Sequence, residues 1–521
     1  MSSVSSRSRL LLPVLLLIAD PLHAAIFIVD TSSDAALAAC TAAPGDCSLR
    51  GAITAANATS ALDQIHFQIP VADAGYQAAS QHWRISVGAT ALPAISEAVV
   101  IDGYTQPGAS ANTETPVQGG LNAVLKIEIV PGSASGSQQI GIDTFSNNFN
   151  TGTITIRGLV ISGFGSQIQL GGGSGHRVEG CFLGTDVSGT LAAVTTPGGR
   201  GNGVRIQGPG PYQIGGSLPA ERNLLSGLST AVNQFAGSDG LVIRGNLIGT
   251  DVSGSMALGN VQDGLSFQQG SLRNAQIGGT DPTMRNVIAA NRFSAITIFA
   301  SAVGALNGTR IEGNFIGTSA NGALLLGNGW LPGQPQPGIA LQSIVNCNLV
   351  IGGPAAGQAN VIADSGLQGV RNDSCRGVVA ADNRYLANRG IAFDNVAGGG
   401  LIGTTPNDPG DPDETGGNRL QNHPVIETLT QAANGDVQLG YRVDTALANA
   451  TYPLEVRFYR VMAGGAVARV GQASYPAPNA LANIVLTGPA LPLTAVAIDA
   501  DGNQSEFAPV LGEALLGDGF E

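Results

Sequence analysis

Three stretches of this chain repeat one another: VEGCFLGTDVSGT (178–190), VIRGNLIGTDVSGS (242–255) and RIEGNFIGTSANGA (310–323), with a degenerate fourth copy, VAADNRYL (379–386). Their equivalent residues Cys181, Asn246, Asn314 and Asn383 are spaced by 65, 68 and 69. A second marker recurs in the same order: QIGG at 213–216 and 276–279 and VIGG at 350–353, followed by NLLSG, NVIAA and NVIAD from 223, 286 and 360. Two markers at one spacing constrain the chain to a repeat architecture, in which each unit buries its apolar face against its neighbours. Inside each copy, short β-branched segments alternate with Gly/Asn/Asp turns, which predicts the coils of a parallel β-helix. At roughly 20–25 residues per coil, one copy makes about three coils, and ~13 coils make a rod on the order of 60 Å long. Asn246, Asn314 and Asn383 are expected at one corner, in left-handed backbone, with amides paired between coils.

Glycine supplies 74 of 521 residues, charged residues only 12% and aromatics 5%. Such a chain, 43% hydrophobic and without a Gly-X-Y period, is neither collagen-like nor disordered. A net charge of −13 argues against nucleic acid or an anionic membrane as partner. It also argues against a strongly acidic polysaccharide, unless a local arginine cluster or a bound cation intervenes. The opening MSSVSSRSRLLLPVLLLIADPLHA pairs Arg7 and Arg9 with the apolar run Leu10–Ile18 and the small residues Ala24 and Ala25. This pattern predicts a signal peptide over residues 1–24, with an apolar run too short for a membrane span. An exported chain meets an oxidising compartment, so disulfides are expected between Cys40 and Cys47 and between Cys347 and Cys375. Cys181 is then left as a buried free thiol.

CSLRGAITAAN (47–57) resembles the signature of the CSLREAI-domain family, exported bacterial proteins with right-handed parallel β-helix repeats. VIDGYTQPGA (100–109), the GNxIGTDxSG copies and NDPGDPDETGGNRLQNHPVI (407–426) are similar to segments of the same group. The resemblance covers most of residues 26–426 and implies an all-β, right-handed parallel β-helix of the pectate-lyase-like kind; it implies no particular activity. Gly51 stands where the family signature carries Glu, so no acid-dependent role passes to that position. On their own pattern, residues 48–56 read as an amphipathic helix with Ser48 as N-cap and Leu49, Ala52, Ile53 and Ala56 on one face. Such a helix suits the N-terminal cap of a solenoid.

Residues 25–95 are therefore expected to form a cap region, 96–405 the β-helix and 406–426 an acidic linker. From 427 to 512, longer period-two segments such as YPLEVRFYRV and LTAVAIDADGNQSEF predict a small immunoglobulin-like sandwich. Residues 513–521, ending in DGFE, read as a C-terminal tail.

Chemistry-bearing residues concentrate where the repeat is broken. Arg371, Asp373 and Arg376, followed by Asp382, Arg384 and Arg389, form the densest mixed-charge run on the expected rod. They are the candidates for an anion-binding or catalytic groove, against the plainer reading of a salt-bridged face. A glycoside hydrolase needs two carboxylates facing one groove, and Glu179, Asp239, Asp263, Glu312, Asp364 and Asp394 are further acids on expected strands or corners. His176, in a Gly-rich segment, reads as a surface turn residue. The excursion GNGWLPGQPQPG (327–338) puts Trp330 on a Pro/Gly loop, and with Tyr385 it is the candidate glycan-binding surface. Asp408, Asp411, Asp413 and Glu414 lie within seven residues and are candidate calcium ligands, against a solvated linker. No cofactor is required, with calcium as the one that could be present. The resulting expectation is a secreted or cell-surface protein, non-catalytic, glycan-binding or adhesive. The alternative is an extracellular polysaccharide lyase or glycoside hydrolase with its groove on the β-helix.

Overall fold

Short β-branched runs between glycines cannot bury themselves alone, and here they stack. The computed structural model describes residues 24–132, 139–145, 152–193, 200–299, 305–342, 346–397, 403–462, 467–488 and 491–512; residues 1–23 of the expected signal peptide and the C-terminal tail lie outside them. Three parallel sheets run along the rod, visited in turn by each coil. Sheet A has 11 strands, from Ile26–Val29 to Val378–Val379. Sheet B has 11, ending at Arg384–Leu386, and opens with an antiparallel pair, Tyr76–Gln77 on His82–Val87. Sheet C has nine, from Ile140–Asp143 to Phe393–Asn395. The chain is thus a parallel β-helix whose rungs begin at Ile26, inside the stretch read as a cap region.

The register puts like on like. Val178, Ile214, Ile243, Ile277, Ile311 and Ile351 stand one rung apart on sheet A, all buried in one continuous core. Their numbers differ by 36, 29, 34, 34 and 40, so a supra-repeat is two coils rather than three. The 11 rungs of sheet A give a length of about 50 Å at ~4.8 Å per step, shorter than expected. The coils are longer because each carries an extra excursion. One kind bears a hairpin after sheet B, closed by Thr185↔Ala192, Thr250↔Ala257 or Thr318↔Leu325. The other bears a loop between sheets A and B, with a short 3-10 turn at Pro219–Glu221 or Pro282–Met284.

The repeated GTDxSG segment is that hairpin. Its tips hydrogen-bond to one another, Val252 N to Gly189 O and Ala320 N to Gly254 O, at 2.9 and 2.8 Å. They fold back over the outer side of sheet B, where Val160, Phe182, Leu224, Leu247 and Val287 form a second apolar cluster with Leu121, Leu125 and Ala320. Asp251 Oδ1 accepts from Ser253 Oγ and the Met256 amide inside the turn, and in the third copy the Ser319 hydroxyl accepts from the Leu324 amide instead. A hydroxyl can replace the carboxylate because the task is closing a turn. Arg222 fastens this covering layer: wholly buried, it donates to the main-chain oxygens of Glu114, Gly119, Gly120 and Gly245.

The two sequence markers meet at one corner between sheets A and B. Asn223, Asn246, Asn286, Asn314, Asn360 and Asn383 form a ladder, each Nδ2 donating to the next Oδ1 at 2.9–3.0 Å. Such amide ladders satisfy corner backbone that the sheets leave unpaired. Cys181 ends the ladder: its N–H donates to Asn223 Oδ1 and its thiol, buried and pushed up to about 12, is inert. In the first three copies the left-handed residue is the preceding glycine, Gly180, Gly245 or Gly313, and in none is it the asparagine as expected.

Helix α1, Leu49–Ala56, packs on the first two strands of sheet A, with Leu49, Ala52, Ile53 and Ala56 in the rod core. Ser48 Oγ accepts from the Gly51 amide as an N-cap. A Cβ at Gly51 would lie 1.7 Å from the Leu37 carbonyl oxygen, so the backbone approach excludes a Glu there. The Cys40–Cys47 and Cys347–Cys375 disulfides form, the second joining neighbouring coils. At the other end, two three-stranded antiparallel sheets enclose a separate core of Val437, Leu439, Tyr441, Val456, Phe458 and Ala495. The strand Leu493–Ile498 is buried on both sides, and its Val496 and Ile498 join Tyr459, Val461 and Phe507 in the core of the rod. Among the described residues, no helix is long and apolar enough to cross a membrane.

Candidate functional site

Each coil turns from sheet B to sheet C at a corner, and three successive corners bring Trp330, Asp364 and Arg389 together. Asn260, Asn291 and Asn328 form a second amide ladder under them. The 327–338 excursion leaves the first corner, Asp364 lies on the second with φ 50°, and Arg389 on the third. Trp330 is 41% exposed; its Nε1–H donates to the Asp364 carbonyl at 2.8 Å, and the Arg389 guanidinium lies 3.5 Å over its ring. The Asp364 carboxylate accepts from the Gly327 amide at 3.0 Å, and burial raises its pKa against the pull of Arg389. Among the described residues, no carboxylate pairs with Arg389, so the fork of donors at its edge is free while its face rests on the indole.

The other members of the expected groove scatter. Arg371, on the outer side of sheet C, pairs with Asp373 at 2.6 Å. Arg376 donates to the Glu414 carbonyl. Asp382 faces the sandwich, 2.8 Å from Arg457 and 3.0 Å from the Tyr459 hydroxyl. Arg384 is exposed on the outer side of sheet B, beside Val361. Of the six, only Arg389 joins the Trp330 corner. Tyr385 does not: 2% exposed, it fills the inward slot above Ile362 and donates its hydroxyl to the Ala380 carbonyl, so it offers no face to a ligand. His176 is likewise a core residue and not a surface turn, stacked on Tyr212, with its Nδ1 accepting from the Ile154 amide and its pKa lowered by burial.

Among the described residues, these carboxylates do not assemble into an accessible acid pair. Glu179 pairs with Arg177, Glu312 with Arg310, and Asp239 lies 3.8 Å from Arg273. Asp263, pushed up to about 6 by burial, accepts from Thr297 Oγ1. Among the described residues Asp394 forms a hydrogen-bonded acid pair with Glu506, a partner not evident from the sequence because it lies 112 residues on, in the sandwich. Burial raises both pKa values, Glu506 to about 8, so the pair holds a proton; at 0% and 4% exposure it has no route to a substrate.

The segment read as a linker is a packed strap. Asp411, Asn418, Gln421 and Asn422 are buried, whereas Glu414 is exposed. Single carboxylate oxygens of Asp408, Asp411 and Asp413 lie within 4.8 Å of one another, and Glu414 stands outside this group. Burial first, with help from the charges of Asp408 and Asp413, pushes the Asp411 pKa up to about 6. Compared with known proteins, the chain matches no protein-family model and no curated protein.

Proposed function

We propose that the chain is an exported, non-catalytic β-helix protein that binds an extracellular glycan, in an adhesive or matrix role, at the Trp330–Arg389 corner. One observation carries the reading: an exposed indole with a guanidinium stacked on it that has no salt-bridged carboxylate among the described residues, where an excursion breaks the repeat. An exposed indole ring suits the C–H face of a pyranose, and a planar guanidinium suits a carboxylate bidentately. The sugar class that fits both is a uronate, met locally despite a net charge of −13. The two disulfides support an oxidising compartment. We read α1 as the N-terminal cap, the six C-terminal strands as an immunoglobulin-like sandwich and the helix as right-handed, and on its motifs we assign the chain to the CSLREAI-domain group.

Calorimetric titration with oligogalacturonate and oligomannuronate tests the proposal, with tryptophan emission followed in the native chain and in Arg389→Ala. The chain has two tryptophans, and Trp83 is buried, so the signal reports Trp330. Expected are saturable binding, its loss in Trp330→Ala, about tenfold weakening in Arg389→Ala, and no unsaturated or reducing ends. Absence of binding to any uronate oligomer overturns the reading, and so does release of unsaturated or reducing ends by the native chain.

A further inference from the structure

We propose that Asp408, Asp411 and Asp413 hold one calcium ion at the junction of the rod and the sandwich. Three carboxylates whose oxygens lie within 4.8 Å would repel one another, and acidity alone does not make a site. The second observation is the state of the oxygens. Asp411 is only 3% exposed, and its Oδ2 is saturated: Gln421 Nε2 donates at 2.7 Å, Thr445 Oγ1 at 2.9 Å and the Asn422 amide at 3.1 Å. Its Oδ1 is equally buried, and no donor of the described chain reaches it; the same holds for Asp408 Oδ1. Buried carboxylate oxygens left without donors within one acid cluster call for a cation.

The arginines nearby do not supply it. Arg419 Nε donates to the main-chain oxygen of Asp413 and Arg376 to that of Glu414, so neither guanidinium is hydrogen-bonded to the carboxylates. Hard oxygen donors on an irregular loop held by Pro409 and Pro412 suit calcium, which accepts six to eight oxygens at variable angles. Magnesium demands near-octahedral geometry and keeps its waters, so it fits this loop less well. Carbonyl oxygens and water would complete the shell.

The ion would act on the junction. Asn422, next to the cluster, donates to the Asp408 and Asp444 carbonyls, and Thr445 of the sandwich donates directly to Asp411. Neutralising the three acids would fix the strap against the sandwich. The proposal is independent of the glycan reading, and its test uses no sugar.

The full chain, stripped with EDTA, is titrated calorimetrically with calcium chloride and with magnesium chloride, and its thermal unfolding is followed in each. The expected result is one calcium per chain, magnesium at least about tenfold weaker, and a melting temperature raised by calcium. Asp411→Asn and Asp413→Asn each remove the calcium response. Asp413 is half-buried and its carboxylate accepts no hydrogen bond in the described chain, so its variant decides the matter if Asp411→Asn does not fold. Absence of calcium binding in the native chain overturns the assignment. So does binding undiminished in Asp413→Asn, or magnesium bound as tightly as calcium.

Discussion

The two ends of the rod meet the same physical problem and solve it with opposite chemistry. A solenoid's last coil exposes an apolar core and, on each sheet, a row of unpaired backbone groups. At the N-terminal end α1 lies on the first rungs with only apolar residues inward, and its one ion pair, Arg50 with Asp34 at 2.8 Å, stays at the rim. At the C-terminal end polar side chains of the strap and sandwich take the place of a further rung. Asn418 Oδ1 accepts from the Val378 amide and its Nδ2 donates to the Val378 carbonyl, while Gln504, Asn503 and Glu506 accept from the amides of Ala380, Gly377 and Asn395. An apolar lid is sequence-tolerant and indifferent to pH. A lid of directed hydrogen bonds and buried charge is specific, and it titrates.

The sharpest way to separate the ends is pH. Glu506, ordinarily near 4.5, is pushed up to about 8 by burial first and by Asp394 beside it. A carboxyl that binds its proton more tightly when folded contributes stability that is complete below about 4.5 and is lost as pH rises through about 8. Denaturant midpoints of the full chain from pH 5 to 9 should therefore fall, with a loss on the order of 4 kcal/mol across the window. Glu506→Gln should flatten the curve; an unchanged curve in that variant would show that the pair is not the source. Next in size is Asp382→Ala, which leaves Arg457 and the Tyr459 hydroxyl facing an apolar seam with one acceptor fewer. Breaking a buried pair from one side costs about 3 kcal/mol, less here because Glu455 also holds Arg457. The expected sign is a junction that melts before the rod in a calorimetric scan; a single unshifted transition would count against it.

What could be read from the letters follows the same divide. Stacking requires the same residue type rung after rung, so the isoleucine column and the asparagine ladder were visible as a period. The period was misread as three coils because hairpin-bearing and loop-bearing coils alternate, and the two Asn markers are one corner on successive rungs. Tyr385 and His176 misled because inward and outward slots look alike for a single aromatic among glycines; only the register shows Tyr385 above Ile362. The strap's Asp, Pro and Gly resemble a solvated linker, yet NRLQNH supplies Asn418, Gln421 and Asn422 as hydrogen-bonding side chains. Glu506 pairs with Asp394 across more than a hundred residues with no repeat to advertise it. Trp330 was legible because an excursion interrupts a period; its Arg389 partner lay within the run of charges, but nothing local singled it out.

The smallest effect probes the N-terminal end, at the helix cap. Ser48 is fully buried, accepts from the Gly51 amide at 3.0 Å and donates its hydroxyl to the Ala35 carbonyl. Ser48→Ala removes the cap and leaves that buried amide without its acceptor, at a cost of about 1–2 kcal/mol. Ser48 carries no charge in either state, so the loss should be the same at pH 5 and at pH 9. Denaturant midpoints of the variant and the native chain should then run parallel against pH, offset by a constant amount. A gap that widens with pH would mean that the N-terminal end feels the titration of the far junction, and that the two ends do not fold independently.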